Sequence, residues 1–146
     1  MSAIEAQDIA QKILDSMGVS ATISVESQEP IYLTISSEDS ALLIGKGGET
    51  LRSFQAIVNT IYRRQSSDEG YVGIDIGGYK KERVEKVQGI AQELADKALA
   101  SGEDQHLAPM NAFERRSVHT LLAENPDVVT ASEGEDLNRH IVIKKR

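Results

Sequence analysis

The spacing of apolar residues along the first 77 positions predicts six secondary-structure elements. Apolar residues recur every three or four positions in 3–17 and 51–65, which is the helical period, and alternate in 21–26, 31–36 and 71–76, which is the period of a strand; the short apolar run at 39–44 predicts a further helix. Pro30 and its polar neighbours separate the first two strands and predict a β-hairpin. Ser2 and Glu5 have the spacing of a capping box at the first helix. The order α-β-β-α-α-β predicts a small α+β domain over residues 1–77.

The remaining residues, 78–146, predict a second domain. Apolar residues step by three and four from Tyr79 to about Ala100, which predicts one long helix. Asn111 and Glu114 have capping-box spacing and open a second helix that ends near residue 124. Alternating segments at 128–132 and 139–144 predict two strands, and a weaker one is predicted at 105–108. The second domain is therefore expected to be a small α/β unit.

Composition excludes several classes of protein. The 146 residues include no cysteine, so there is no disulfide, no thiolate metal ligand and no cysteine nucleophile. The three histidines have no metal-ligand spacing and no nucleophile elbow is present, so we expect no enzyme activity, no metal and no cofactor. No apolar run reaches the ~18–20 residues that span a bilayer, and residues 1–5 do not resemble a signal peptide. A cytoplasmic protein without a membrane segment is expected.

The formal net charge of −7 argues against nucleic-acid binding until the charge is located. Residues 1–44 carry seven acidic side chains and one basic one, and residues 87–138 carry ten acidic and three basic. Residues 45–86 carry eight basic and six acidic side chains, and the last eight residues carry four basic side chains and no acidic one. Positive charge is therefore concentrated in two segments, although clustering on a solvated surface is an equally good explanation.

Three glycines and a lysine, Gly45-Lys46-Gly47-Gly48, separate two predicted helices. Such a backbone is open to the close approach of a sugar-phosphate chain, and the N-terminus of the helix that follows favours a phosphate. The alternative is a plain turn that requires positive φ, for which two glycines would serve. The spacings of a P-loop and of a dinucleotide fingerprint are both absent.

Within an α-β-β-α-α-β unit, the segment from Leu43 to Leu51 resembles the signature of a type II KH domain with a three-stranded sheet. The resemblance covers residues 1–77 and implies that the loop clamps about four single-stranded nucleotides beside an apolar groove for the bases. It implies that Gly45, Gly47 and Gly48 approach the phosphate backbone. It further implies a phosphate contact from Lys46, an apolar floor at Ile44 and a contact from Arg52.

Arg115 and His119 are four residues apart and share one face of the second domain's second helix. Alone, this spacing is typical of a surface pair or of a histidine satisfied by hydrogen bonds. Together with residues 109–111 and 132–134 it resembles the R-3-H domain, named for an arginine and a histidine separated by three residues and associated with single-stranded nucleic acid. The resemblance implies binding by Arg115 and His119, supported by Arg116, Arg139 and the basic C-terminus.

A KH type II domain followed directly by an R-3-H domain is similar to the Jag family of bacterial RNA-binding proteins, also called KhpB, EloR or SpoIIIJ-associated proteins. Members often carry a further N-terminal domain, whereas this chain begins at the KH helix. The resemblance implies post-transcriptional regulation through single-stranded RNA. It leaves single-stranded DNA at the second domain, and a second KH protein, as open partners. The rival hypothesis is a protein-interaction module that docks a partner on its acidic surface.

Overall fold

The computed structural model describes residues 2–66 and 70–146 and has the α+β composition predicted from the sequence. The chain forms two compact units, Met1–Lys80 and Lys81–Arg146, called unit 1 and unit 2 below. The division falls inside one helix, Tyr79–Ser101, so the first two residues of that helix pack with unit 1.

Unit 1 has the predicted order of three helices and three strands. Its elements are α1 (Ala3–Ser16), β1 (Thr22–Gln28), β2 (Ile31–Ser36), α2 (Ser40–Ile44), α3 (Glu49–Gln65) and β3 (Gly73–Ile76). The central strand β2 is antiparallel to β1 and parallel to β3. Because a parallel pair needs a crossover connection, α2 and α3 both lie in the segment between β2 and β3.

The core of unit 1 is formed between the three helices and the sheet. Leu14 of α1, Leu33 of β2 and Val58 of α3 are each fully buried. The apolar alternation at residues 71–76 indicates a strand with one buried face, but β3 is buried on both faces. Its Asp75 is only 5% exposed and accepts hydrogen bonds at Oδ1 from the backbone N–H groups of Ile76 and Lys80. This carboxylate therefore fixes the passage from β3 into the next helix.

Amide side chains of α3 bond to the backbone on the side of β3 away from β2. Asn59 Nδ2 donates to Val72 O at 2.9 Å, and Val72 N donates to Asn59 Oδ1 at 2.7 Å. Gln55 Oε1 accepts from Ile74 N at 2.9 Å. These side chains replace a neighbouring strand, because they satisfy buried backbone groups that would otherwise lack partners.

We expect Asn59→Ala to destabilise unit 1 by about 2–3 kcal/mol, because it leaves the buried N–H and C=O of Val72 unpaired. Urea denaturation followed by circular dichroism measures the loss. Thr60→Ala is the matched control, since Thr60 is exposed and its hydroxyl donates to Ala56 O of its own helix turn. Equal unfolding midpoints for the two variants would contradict a stabilising role for the hydrogen bonds between Asn59 and Val72.

Unit 2 is a three-stranded antiparallel sheet with two helices. Its elements are α4 (Tyr79–Ser101, from Lys81 onward), β4 (Gln105–His106), α5 (Ala112–Leu122), β5 (Val128–Glu133) and β6 (His140–Lys145). The central strand is β6, with β4 and β5 on its two sides. Small residues of α4, including Ala91 and Ala95, pack with Val118 of α5 and with Ile141 and Ile143 of β6.

The two predicted capping boxes differ in outcome. At α1 the Ser2 side chain makes no cap bond in the described structure, so that prediction is wrong; instead Glu5 N donates to Ser2 O. At α5 the prediction is half right, because Asn111 Oδ1 accepts from Glu114 N at 2.9 Å. The Glu114 carboxylate pairs with Arg83 of α4 at 3.1 Å.

Candidate nucleic-acid interface

The loop between α2 and α3 is a tight turn in which each of the three glycines has positive φ. The φ values are 73° at Gly45, 61° at Gly47 and 79° at Gly48. Two glycines would therefore not serve for this turn, contrary to the expectation from the sequence, because all three adopt positive φ. Glycine content alone does not identify a phosphate site here, and the site depends on what surrounds the loop.

The surroundings differ among the three glycines. A Cβ built at Gly45 would lie 2.8 Å from Thr50 Cβ and 3.0 Å from Thr50 N. A Cβ at Gly48 would lie 2.9 Å from Tyr79 Cε2 and 3.3 Å from Arg52 Nη1. A Cβ at Gly47 would meet no described atom within 4 Å. The outer two glycines thus permit internal packing, and the loop backbone is open at Gly47.

Two cationic side chains flank the open position. Lys46 is exposed within the loop, and Arg52 is exposed one turn into α3 with its Nη1 donating to Gly47 O at 2.7 Å. A guanidinium has five N–H donors, so this bond anchors Arg52 and leaves further donors for a ligand. Gly48 is the N-cap of α3 and has no side chain to satisfy the first N–H groups of the helix. The structure thus brings together Lys46, Gly47 and Arg52.

Two residues beside this loop were missed by the sequence analysis. Tyr79 packs against the core with its ring next to Gly48. Lys80 Nζ donates to Gln55 Oε1 at 2.6 Å, and burial lowers the pKa of Lys80 while Asp75 opposes that shift. The only sequence signal was a tyrosine and two lysines directly after Gly77-Gly78.

An exposed apolar side chain lies near the loop besides the predicted Ile44. Ile44, the predicted floor for the bases, is half-buried and packs against the core of unit 1. Leu42, two residues earlier in α2, is 66% exposed. Leu42 is therefore more accessible to a ligand than Ile44.

In unit 2, His119 of α5 is held by two hydroxyl groups of β5. Its Nδ1 lies 2.7 Å from Thr130 Oγ1 and its Nε2 lies 3.0 Å from Ser132 Oγ. Burial lowers the His119 pKa from its ordinary value, and the positive charge of Arg115 lowers it further. The ring is therefore neutral at pH 7 and both of its nitrogens have partners, as expected for a histidine satisfied by hydrogen bonds.

The arginines predicted around His119 are anchored on backbone carbonyls. Arg115 Nη1 donates to Met110 O at 2.6 Å, and Met110 N donates to Arg139 O at 3.2 Å. Arg139 Nη1 donates to Gly134 O at 2.9 Å. Arg116, the next residue of α5, is exposed. Arg115 and Arg139 are thus linked through one residue, each with further N–H donors beyond its anchoring bond.

The basic C-terminus is partly neutralised by neighbouring acids. Lys144 Nζ lies 3.9 Å from both Asp104 Oδ2 and Glu133 Oε2.

Among residues 2–66 and 70–146, no group of three or more His, Asp or Glu side chains is arranged to hold a metal ion. In the same part of the chain, no helix has the length and apolar character needed to cross a membrane.

Comparison with known proteins divides the chain into two matched regions. Residues 5–74 match the KhpA/KhpB KH domain, and residues 85–145 match the R-3-H domain. The chain is 33% identical to the RNA-binding protein KhpB of Clostridium symbiosum, over 95% of this chain and 64% of that protein. It is 32% identical to KhpB of Bacillus subtilis, over 93% of this chain and 67% of that protein.

The third relative compared, KhpB of Streptococcus pneumoniae, is 31% identical over 97% of this chain and 43% of its own length. The chain therefore spans from less than half to two thirds of the curated relatives it matches.

Proposed function

The chain belongs to the KhpB family of RNA-binding proteins, and from this membership we propose that it binds single-stranded RNA without catalysing a reaction on it. In this proposal the loop of unit 1 holds the phosphate backbone, and the arginines of unit 2 extend the contact. Regulation of bacterial RNA after transcription, as the family resemblance implies, is the biological role we propose.

The observation that carries the proposal is the environment of Gly47. The loop backbone is open there, with the Lys46 ammonium and the Arg52 guanidinium on its two sides. Phosphate oxygens prefer such charge-assisted donors. The N-terminus of α3, which begins directly after Gly48, adds N–H groups that favour a phosphate. A polyanion can therefore approach this part of a chain whose net charge is negative.

Backbone contacts are expected to supply most of the affinity. Phe54 and Tyr62 are buried in the core of unit 1, so they are not accessible for stacking on bases. Tyr71 and Phe113 are 54% and 57% exposed. Two exposed rings give limited stacking, so binding is expected to depend strongly on salt and weakly on base identity.

The test is fluorescence anisotropy of a labelled single-stranded RNA across a salt series, with the whole chain. RNA binding predicts a negative slope of log affinity against log salt, about 0.7 for each phosphate neutralised on a single strand. Absence of binding by the parent chain at about 50 mM salt, where the electrostatic contribution is strong, would refute the proposal.

Lys46→Gln is expected to weaken binding severalfold and to reduce the salt slope by about 0.7, the contribution of one phosphate. Lys12→Gln is the matched control, since Lys12 is an exposed lysine of α1 in the acidic N-terminal segment. The same salt series measures both. A slope that changes equally in the two variants would show that the loop lysine has no special place in the interface.

A second candidate function is docking of a protein partner, and one groove of unit 1 favours it. The groove has a volume of about 640 Å³ and lies between α1 and α3. Ile9, Ile13 and Ile61 supply apolar lining. The charged lining is two acidic side chains and one basic one, Glu5, Asp8 and Lys12. This net acidic character suits a basic, apolar segment of a protein better than a phosphate chain. A chain that fails to bind RNA at low salt would leave this function as the better one.

Three further expectations stay predictions. They are the cytoplasmic location, the binding of single-stranded DNA by unit 2, and a second KH protein as partner. Repeating the anisotropy experiment with a labelled single-stranded DNA tests the second of these.

A further inference from the structure

We propose that the Ser132 hydroxyl of unit 2 donates a hydrogen bond to a phosphate of bound RNA, and that His119 acts as a positioning residue for that hydroxyl. This inference deepens the proposed function and rests on it. Its starting point is the contact of both His119 ring nitrogens with hydroxyl groups, 2.7 Å to Thr130 and 3.0 Å to Ser132.

A neutral imidazole has one N–H donor and one acceptor nitrogen. One of the two hydroxyls must therefore donate its hydrogen to the ring, while the other accepts from the ring and keeps its own hydrogen for another partner. The ring thus leaves a single oriented hydroxyl donor at the surface of β5.

Ser132 is the better placed of the two, because it lies toward the arginines. Gly134, two residues after Ser132, accepts from Arg139 at 2.9 Å. Arg115, one turn before His119, donates to Met110 O, and Met110 N donates to Arg139 O. The start of α5 and the end of β5 therefore lie at the same side of unit 2, and Ser132 is nearer that side than Thr130.

The hydrogen bonds then have a definite direction. The Thr130 hydroxyl donates to Nδ1 of His119, and Nε2–H donates to Ser132 Oγ. The Ser132 hydrogen is free to bond a phosphate oxygen that Arg115 and Arg139 attract. In this arrangement the histidine does not touch the RNA and contributes by orienting the hydroxyl.

The experiment measures RNA affinity of the whole chain by anisotropy for Ser132→Ala, Ser132→Thr and Ser117→Ala. We expect Ser132→Ala to lose about tenfold to a hundredfold in affinity, the range for one hydrogen bond to a charged group, with the salt slope unchanged because the hydroxyl is neutral. Ser132→Thr keeps the hydroxyl and should remain within about twofold of the parent. Ser117→Ala is the matched control, since the Ser117 hydroxyl bonds Glu114 O of its own helix.

Two results would overturn the assignment of Ser132. A loss below about twofold, equal to that of Ser117→Ala, would show that the hydroxyl does not touch the ligand. A loss accompanied by a shallower salt slope would show that arginine contacts had been disturbed. A parent chain that does not bind RNA at all would refute the proposed function itself and this inference with it, and is distinguished by the parent measurement.

A double-mutant cycle tests the role of His119. If His119 acts through the Ser132 hydroxyl, His119→Phe in the Ser132→Ala background should cost little further affinity. If His119 contacts RNA directly, the two losses multiply, and the positioning role is refuted. Melting temperatures of the four proteins show whether a loss reflects unfolding.

Discussion

Gly47→Asp is expected to weaken RNA binding by about tenfold or more. The change places a carboxylate at the open position of the loop, between Lys46 and Arg52, where a phosphate is proposed to lie. Like charges about 4 Å apart repel by about 1–4 kcal/mol between bulk water and a protein surface, and each 1.4 kcal/mol is tenfold in affinity. The carboxylate also competes for the two cations. Both effects act against the ligand.

The fold should tolerate this change, which makes the result interpretable. Gly47 has φ 61° and ψ 20°, the left-handed region that asparagine and aspartate adopt most readily among residues with a side chain. Gly47→Asn is therefore the matched control, because it has nearly the same shape and strain and lacks only the charge. Anisotropy at low salt compares the two. Equal affinities for the aspartate and asparagine variants would refute the loop as the phosphate site.

Gly45→Ala is expected to have the largest effect on stability, a loss of about 2–4 kcal/mol. Gly45 has φ 73° and ψ 179°, a backbone region that is essentially restricted to glycine and costs about 1–3 kcal/mol for other residues. The added Cβ would also meet the Thr50 side chain and lie 3.0 Å from Thr50 N, so α3 would have to shift. The crowding adds to the backbone strain.

Gly47→Ala is the control for this stability loss. Its φ is also positive, but its Cβ would meet no described atom within 4 Å, so only the left-handed strain of about 1 kcal/mol remains. Urea denaturation of the two alanine variants compares a strained and crowded glycine position with one that is only strained. If Gly45→Ala unfolded at the same urea concentration as Gly47→Ala, the contact with Thr50 would not be a constraint on the loop.

Much of the fold could be predicted from periodicity, because the hydrophobic pattern is set by burial on one face. The order of elements in unit 1 and the helix Tyr79–Ser101 are confirmed, with ends that differ by a few residues. β3 is the exception: it begins at Gly73, not at residue 71, and is buried on both faces. Its second face holds Gly73, where a Cβ would meet the ring of Tyr32, and Asp75, which is bonded to the backbone of Lys80. Such contacts depend on tertiary packing and leave no period in the sequence.

The family and its two domains could also be predicted, but the local bonding at each site could not. The sequence contains Arg115 and His119 at the right spacing, yet it does not show that the ring lies on Thr130 and Ser132, because those residues are on another element. Nor does it show that the Tyr79 ring lies next to Gly48, which is 31 positions earlier in the chain. Contacts of this kind depend on how helices and strands pack.

The amide groups of α3 that bond beside β3 have a consequence for solubility. An exposed strand edge is a template on which another chain can add a strand, and this is a common route to aggregation. A strand that approached β3 would find the N–H and C=O of Val72 and the N–H of Ile74 already bonded to Asn59 and Gln55. It would have to displace these three hydrogen bonds before it could bond to those groups. The side chains that complete the fold of unit 1 therefore also protect this edge from self-association.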